Sequence, residues 1–242
     1  RHGRIIHGLQ YQDPQLAREP TTYYGPGSGI GLAIHTHPRR EAGQPLRLGF
    51  VGLGTGTLAS YGREGDQVRF YEINPDVVAL SSGPKPWFTY LRDCRGTVEV
   101  SVGDARIELE RQPPQELDVL ALDAFSSDAI PAHLLTEEAM ALYLRHLRDA
   151  DAMVAVHISN RYLDLDPVVR GLAEALGLHV VRIDDSQDDD RVYSSDWMLL
   201  ARDAATLDRV VALATPTDPP DRGEGWPRWT DAYSNLVQVL KD

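Results

Sequence analysis

The chain has 242 residues, of which 42% are hydrophobic and 25% are charged, enough for one sizeable core or for one core with a small appended lobe. The formal net charge of -12 argues against nucleic acid as the main partner, because binding to phosphates needs basic patches, and it is compatible with a cationic substrate. Cys94 is the only cysteine, which excludes an internal disulfide and a cysteine-rich zinc site and fits a reducing compartment such as the cytoplasm.

Residues 1–42 show a pattern that differs from the rest of the chain. Three short runs, 4–10, 21–24 and 29–35, are separated by turns rich in proline and glycine. We predict that they are strands of a small N-terminal β lobe over 1–42. The segment 38–45 is the predicted junction with a second domain that covers 43–242.

From Arg47 onward, predicted strands and helices alternate. The predicted strands are 47–52, 68–72, 97–102, 118–123, 152–158, 179–183 and 197–201. The predicted helices are 57–61, 75–81, 105–111, 136–148, 167–176, 204–214 and 231–240. Such alternation indicates a mostly parallel sheet with helices on both faces, and the last two strands are close enough in sequence to form an antiparallel hairpin. We therefore predict an α/β, Rossmann-like fold with seven strands, ending as the sheets of S-adenosylmethionine-dependent transferases usually do.

A glycine-rich turn follows the first strand of this sheet. Gly52, Gly54 and Gly56 are spaced G-x-G-x-G, and Glu72 ends the next strand. Glycines let a backbone approach a ligand closely, and an acid at the tip of the neighbouring strand can accept hydrogen bonds from ribose hydroxyls. A dinucleotide fingerprint would have another glycine where this chain has Thr57. The spacing therefore favours a site for S-adenosylmethionine or a related nucleoside, and the alternative is a glycine turn that binds no ligand.

Acidic residues follow the later strands, at the sheet edge where α/β folds bind ligands. Asp104, next to Ala105, is expected either to cap the helix that begins there or to bind an adenine amino group. Asp123 ends the fourth strand, and Asp128 follows five residues later. Two carboxylates near a sulfonium can hold a cationic amine and take its proton, because a protonated amine is no nucleophile. The alternative is a turn rich in Asp and Ser that caps its own backbone.

In this order, these segments resemble the spermidine synthases and related polyamine aminopropyltransferases. The glycine loop, the strand-end glutamate, Gly-Asp-Ala at 103–105 and Asp-Ala-Phe-Ser-Ser-Asp at 123–128 carry the resemblance, which extends over nearly the whole chain. Segments 7–10 and 22–25 resemble the lobe that closes over the substrate, and 193–197 resembles the strand beside the amine pocket. Segments 157–162 and 229–235 resemble a bacterial branch fused to transporter-like membrane segments, which implies such segments upstream of Arg1.

The resemblance implies a role for each matching residue. Asp123 would be the base that deprotonates the attacking amine, and Asp128 would help to hold that amine. The implied nucleoside-binding residues are Gly52, Gly54, Gly56, Glu72, Asp104 and Ala105, and the further amine-binding residues are Gln10, Tyr23 and Tyr193. The resemblance also implies a homodimer in the cytoplasm that acts on a small-molecule amine.

The implied reaction moves an aminopropyl group from decarboxylated S-adenosylmethionine to an amine such as putrescine and releases methylthioadenosine. Where the family has Asp-Ser-Ser-Asp-Pro, this chain has Ala124-Phe125 inserted after the first acid, so the amine pocket is expected to be reshaped. One alternative is therefore an enzyme that uses intact S-adenosylmethionine for methyl transfer, cyclisation or elimination. Another is a non-catalytic sensor of a nucleoside or a polyamine, coupled to the upstream segments.

No function is predicted for two further clusters of charged or metal-binding residue types. His35 and His37 would share one face of a strand, but the sequence offers no third ligand nearby, so no metal site is predicted. The acidic cluster over 184–190 is predicted to be a solvated loop, and the alternative is a place at the substrate entrance.

Overall fold

The computed structural model describes residues 8–124, 131–214, 216–219 and 225–241. Its strands are β1 (Arg47–Val51), β2 (Gln67–Glu72), β3 (Thr97–Val102), β4 (Val119–Leu122), β5 (Met153–His157), β6 (His179–Asp185), β7 (Ser195–Ala201) and β8 (Pro216–Thr217). They form one sheet in the order β3-β2-β1-β4-β5-β7-β6-β8.

Strands β1 to β5 run parallel to one another, and β7 pairs antiparallel with both β5 and β6. Every residue of β4 and β5 is buried, as expected for central strands covered on both faces. The predicted mostly parallel sheet with a terminal antiparallel hairpin is confirmed. The edge strand β8 was not predicted, because two residues are too few to show a strand pattern.

The helices are α1 (Gly29–His35), α2 (Pro38–Glu41), α3 (Pro75–Ser81), α4 (Tyr90–Asp93), α5 (Ala105–Arg111), α6 (Glu137–His146), α7 (Asp166–Leu176) and α8 (Ala204–Val211). Short 3-10 helices cover Thr57–Tyr61, Ala132–Leu134 and Leu236–Val239. None of the described helices has the length and apolar composition that a membrane span needs.

Helices cover both faces of the sheet, which leaves the strand ends as the place for a ligand. In β4, Val119 and Ala121 pack in one apolar layer with residues of α1 and α8. Leu120 and Leu122 pack in the opposite layer with residues of α5, α6 and α7. Successive side chains of a strand point to opposite faces, so each layer takes every second residue.

The strand predicted over 29–35 is wrong, because this segment is helix α1. Ser28 caps the helix by accepting a hydrogen bond from the Gly31 N–H. Ile30, Ala33 and Ile34 are buried in the same apolar layer as β1 and β4. Their i, i+3, i+4 spacing is that of one helix face, whereas the prediction followed the short length of the apolar run.

The other strands predicted before residue 42 are not formed by the described residues. Segment 21–24 contributes one bridge, between Thr22 and Val192, and Thr22 has a φ of 57°, outside the range of a strand. Residues 8–10 are irregular, and residues 1–7 lie outside the described part of the chain. The predicted division of the chain at residue 42 stays a prediction.

The helix predicted over 231–240 is also wrong, apart from the 3-10 turn at its end. Thr230 and Tyr233 exchange backbone hydrogen bonds, which makes a tight turn where the helix was expected to begin. Asn235 then accepts a hydrogen bond from the Val237 N–H and caps the 3-10 helix. Side-chain bonding by Asn competes here with helical continuation.

Candidate active site

A cavity of about 1230 Å³ opens at the edge where strands β1 to β5 end. A residue at or just after the end of each of these strands lines it: Gly52, Glu72, Asp104, Asp123 and His157. Parallel pairing brings these ends together, as in other α/β sites. The volume exceeds the roughly 300–1,000 Å³ of most small-molecule sites, so the cavity has room for two small substrates.

The glycine loop after β1 has a backbone that disfavours other residues. The angle φ is 96° at Gly52, 54° at Gly54 and 84° at Gly56. A Cβ on Gly52 would lie 2.4 Å from the carbonyl oxygen of Asp123, so this position requires glycine. Gly52 and Gly54 line the cavity, whereas Gly56 closes the loop through its N–H, which donates to the Leu53 carbonyl.

Glu72 fixes the glycine loop and also faces the cavity. Its Oε2 accepts a hydrogen bond from the Leu53 N–H at 2.9 Å, and its Oε1 accepts one from the Asn74 N–H at 2.8 Å. A carboxylate oxygen has two lone pairs, so each oxygen keeps one for a further donor such as a ribose hydroxyl. The buried carboxylate therefore shapes the loop in addition to its predicted role in binding a ligand.

Asp104 caps helix α5, and it lies in the cavity wall beside the buried Ala105. Its Oδ1 accepts a hydrogen bond from the Ile107 N–H at 3.1 Å, and its Oδ2 lies 2.9 Å from Nε2 of His133. Burial acts to raise the pKa of Asp104, but hydrogen bonds from Ile107 and His133 outweigh it and lower the pKa below its ordinary value. Asp104 is therefore an ionised acceptor at neutral pH, and its contact with adenine stays a prediction.

Asp123 stands in the cavity wall with both carboxylate oxygens engaged. Its Oδ2 accepts a hydrogen bond from the Tyr24 hydroxyl, and its Oδ1 lies 2.7 Å from Nδ1 of His157. The Asp123 side chain is 11% exposed, so the two partners replace much of the solvation that burial removes. Burial, followed by the charge of Asp123, raises the pKa of Tyr24 well above its ordinary value, which keeps this hydroxyl protonated as a donor.

The sequence interpretation placed His157 and Tyr24 within the family-like segments 157–162 and 22–25, but it gave neither residue a role in the site. The signal for His157 lies in strand pairing: Leu122 of β4 pairs with Val156 of β5, so the residues that follow them are neighbours. Tyr24 comes from a segment about a hundred residues from Asp123 in sequence, and no local pattern links the two.

Of the predicted amine-binding residues, Tyr23 lines the cavity. The Tyr193 ring makes an edge contact with the Tyr23 ring, with ring centroids 5.9 Å apart, and is not itself among the described residues that line the cavity. The Gln10 amide is bound to Thr89 and to the carbonyl of Ala17, away from the cavity as the described residues define it. Asp128 lies outside the described residues.

Charged residues of both signs line the cavity beyond β5: Arg161, Lys241, Asp184 and Asp196. The Lys241 ammonium donates to the carbonyl of Asn160 at 2.7 Å, and Asp196 accepts a hydrogen bond from Arg182 at 2.8 Å. Burial, followed by the charge of Asp196, raises the pKa of Asp184. Asp184, the first acid of the cluster over 184–190, thus lines the cavity.

The chain is similar to known proteins in sequence and in fold, although no family model matches it. It is 30% identical over 159 residues to a polyamine aminopropyltransferase of Vibrio vulnificus strain CMCP6. That match covers 63% of this chain and 48% of the relative, so the chain spans about half the length of this curated relative.

Two solved structures share the fold at low sequence identity. The spermidine synthase from Thermotoga maritima has a TM-score of 0.55 and 13% identity, over 83% of this chain and 66% of that one. A probable spermidine synthase from Corynebacterium glutamicum ATCC 13032 has a TM-score of 0.50 and 20% identity, over 75% of this chain and 69% of that one. The predicted Rossmann-like fold is thus confirmed, and the sequence similarity is to a polyamine aminopropyltransferase.

Proposed function

We propose that this chain transfers an aminopropyl group from decarboxylated S-adenosylmethionine to an amine such as putrescine and releases methylthioadenosine. The observation that carries the proposal is the position of Asp123. This carboxylate stands in the wall of one cavity together with Glu72 and Asp104, the acids suited to bind a nucleoside. The 30% identity to a polyamine aminopropyltransferase supports the same reaction.

The nucleoside of the donor would lie along the ends of β1, β2 and β3. Glu72 has one lone pair on each oxygen for the ribose hydroxyls, and the loop glycines let the backbone approach the ligand. Asp104 is an acceptor held by the N-terminus of α5 and suits the adenine amino group. In this proposal the sulfonium would lie towards the end of β4, near Asp123.

The proposed transfer is a displacement at carbon. The Asp123 carboxylate first takes a proton from the ammonium group of the bound amine, which frees the nitrogen lone pair. This lone pair forms a bond to the carbon next to the sulfonium, the carbon–sulfur bond breaks, and its electron pair returns to sulfur as the thioether of methylthioadenosine. The product nitrogen is a secondary ammonium, and Asp123 then releases its proton to solvent. Sulfonium is a good leaving group, so the protein contributes mainly orientation and a proton acceptor.

The remaining expectations belong to the same proposal. The amine substrate, the homodimer and the cytoplasmic location follow from the proposed activity and from the family resemblance. The relation to a branch fused to transporter-like segments stays a prediction, which the names of the similar proteins do not address.

The decisive experiment compares three nucleosides by calorimetric binding and then by mass spectrometry after putrescine is added. The ligands are decarboxylated S-adenosylmethionine, S-adenosylmethionine and methylthioadenosine. We expect preferential binding of the decarboxylated donor and formation of spermidine. Preference for intact S-adenosylmethionine without an aminopropylated product would overturn the proposal, as would binding of these ligands with no turnover of any donor.

The Asp123→Asn variant tests the proposed base. The amide keeps the size of the side chain but accepts no proton at neutral pH, so we expect kcat to fall about 10²–10⁴-fold, the usual contribution of general base catalysis. Methylthioadenosine affinity should stay within about threefold, because the nucleoside end of the cavity is untouched. Asp208→Asn, on the exposed side of α8, is the matched control. Turnover by Asp123→Asn at the rate of the unaltered chain would remove Asp123 from the mechanism.

A further inference from the structure

We propose that His157 is a positioning residue for Asp123, and this inference rests on the transfer reaction proposed above. The His157 Nδ1 and the Asp123 Oδ1 are 2.7 Å apart, and the two side chains are 5% and 11% exposed. An ionised carboxylate has acceptors only, so the hydrogen atom of this contact belongs to Nδ1. His157 therefore donates to the base from the protein side, at an oxygen that Tyr24 does not occupy.

The His157 ring is held in place by aromatic neighbours. It stacks on Trp197 with ring centroids 4.6 Å apart and an interplanar angle of 13°. His157 and Trp197 are opposite residues of the antiparallel β5–β7 pair, which explains the contact. On another side, the Tyr23 ring lies 5.4 Å from the His157 ring, and the Trp197 indole N–H donates to the Tyr23 carbonyl. The imidazole is thus fixed before any substrate binds.

This fixed donor defines the orientation of the Asp123 carboxylate. The terminal torsion of an aspartate side chain is broad, so the carboxylate of a residue at a strand end is free to rotate unless it is bonded. Tyr24 holds Oδ2 and His157 holds Oδ1, and each oxygen keeps one further lone pair. Those lone pairs are the ones available to the amine. A base aligned in this way needs no reorganisation during the reaction.

The arrangement also suits both protonation states of the base. When the amine proton passes to one oxygen of Asp123, the other oxygen still accepts a hydrogen bond. His157 keeps its Nδ1 proton throughout and takes no proton from the substrate. It acts only through Asp123, which distinguishes a positioning residue from a second base.

A double-mutant cycle separates this role from a general contribution to folding. We expect His157→Leu to lower kcat about 100-fold, the loss typical of a misplaced reacting group, with little change in methylthioadenosine affinity. In the Asp123→Asn background, the same substitution should lower kcat by less than threefold, because the group that His157 orients is gone. Equal losses in both backgrounds would overturn the proposal, as would wild-type kcat in His157→Leu.

Two further variants control the comparison. His157→Asn retains an amide donor near the position of Nδ1, so it should recover at least tenfold of the kcat that His157→Leu loses. His179→Leu removes a histidine from the far end of the antiparallel strands, where His179 pairs with Ala201, and kcat should stay within twofold. Failure of His157→Asn to exceed His157→Leu, with both variants folded and binding methylthioadenosine, would contradict the role of the donor.

An NMR measurement that needs no turnover tests the role of His157 independently of the proposed function. In ¹⁵N NMR spectra of the imidazole groups, His157 should carry a proton on Nδ1, and its Nδ1 signal should shift in Asp123→Asn but not in Asp208→Asn. An Nδ1 without a proton, or a signal indifferent to Asp123→Asn, would overturn the inference. Absence of aminopropyl transfer by the unaltered chain would instead overturn the proposed function.

Discussion

At the scale of single residues, the glycine loop depends on a carboxylate from the neighbouring strand. The two oxygens of Glu72 accept the N–H groups of Leu53 and Asn74. In Glu72→Gln, one oxygen becomes an NH₂ group that cannot accept, so the N–H of Leu53 or of Asn74 loses its partner. We expect the free energy of unfolding to fall by about 1–3 kcal/mol. The altered loop should also weaken methylthioadenosine binding by about tenfold or more.

Urea unfolding and calorimetric titration check these two effects. Glu64→Gln, in the exposed turn before β2, is the control and should change neither quantity. Weaker binding without a loss of stability would mean that Glu72 contacts the ligand but does not hold the loop. Unchanged binding and stability would contradict both functions of the carboxylate.

Whether a site residue can be predicted from the sequence depends on the element that brings it to the cavity. Glu72, Asp104 and Asp123 come directly after or at the end of strands, and the topology of a parallel sheet collects such residues at one edge. His157 also lies at the end of a strand, β5. Its contact with Asp123 follows from the register between β4 and β5, which cannot be derived from the sequence. Tyr24 reaches Asp123 across the fold, through packing that no local spacing encodes.

At the scale of elements, helix α1 shows how tertiary packing decides an ambiguous segment. Two of its seven residues, Gly29 and Gly31, have weak helix propensity, and the segment is as short as a typical strand. The Ser28 cap and the burial of Ile30, Ala33 and Ile34 stabilise the helix against the sheet. Glycine is required there because the helix lies close to its neighbours.

The Gly31→Ala variant tests this close packing. A Cβ at Gly31 would lie 2.5 Å from the Gly25 carbonyl oxygen and 2.8 Å from the Tyr61 hydroxyl. Although alanine is the better helix former, we expect the substitution to destabilise the fold by about 1–3 kcal/mol, the usual cost of overpacking. Gly225→Ala is the control: its Cβ would meet no atom within 4 Å and its φ lies outside the left-handed region, so the free energy of unfolding should change by no more than about 0.5 kcal/mol. Thermal unfolding compares the two, and a stability gain in Gly31→Ala would contradict the packing.

At the scale of the whole molecule, the sheet and its hairpin are predictable because burial on both faces produces continuous apolar strands. The described segments before β1 and after β8 are less predictable, because a few long-range contacts position them. Around Asp231, the chain returns to the cavity side of the fold, where Arg106 of α5 and Thr136 at the start of α6 both bind its carboxylate. Arg106 follows the Gly-Asp-Ala segment after β3, but Asp231 lies 125 residues later in the chain, so no local spacing predicts this pair.

The ion pair between Asp231 and Arg106 makes the stability of the fold depend on pH, and the pKa of Asp231 gives the direction of that dependence. Hydrogen bonds from Arg106 are the main cause that lowers the pKa of Asp231 from 3.8 to about 2. A carboxyl group whose pKa is lowered by folding stabilises the fold above its unfolded pKa, and this contribution is lost as the pH falls from about 4 towards 2. The Asp231→Asn variant lacks the contribution at every pH.

We therefore expect Asp231→Asn to unfold at a lower urea concentration than the unaltered chain at pH 7, with a difference that narrows as the pH falls from about 4 towards 2. The salt bridge is partly exposed, so added salt should reduce the difference at pH 7. Asp208→Asn, an exposed acid on α8, should show a smaller difference at pH 7 and less change with pH. Because the Asp231 contact holds α5, whose first residues flank Asp104, the variant should also weaken methylthioadenosine binding at pH 7. A difference in urea midpoint that widens in acid would have the opposite sign and would contradict the ion pair.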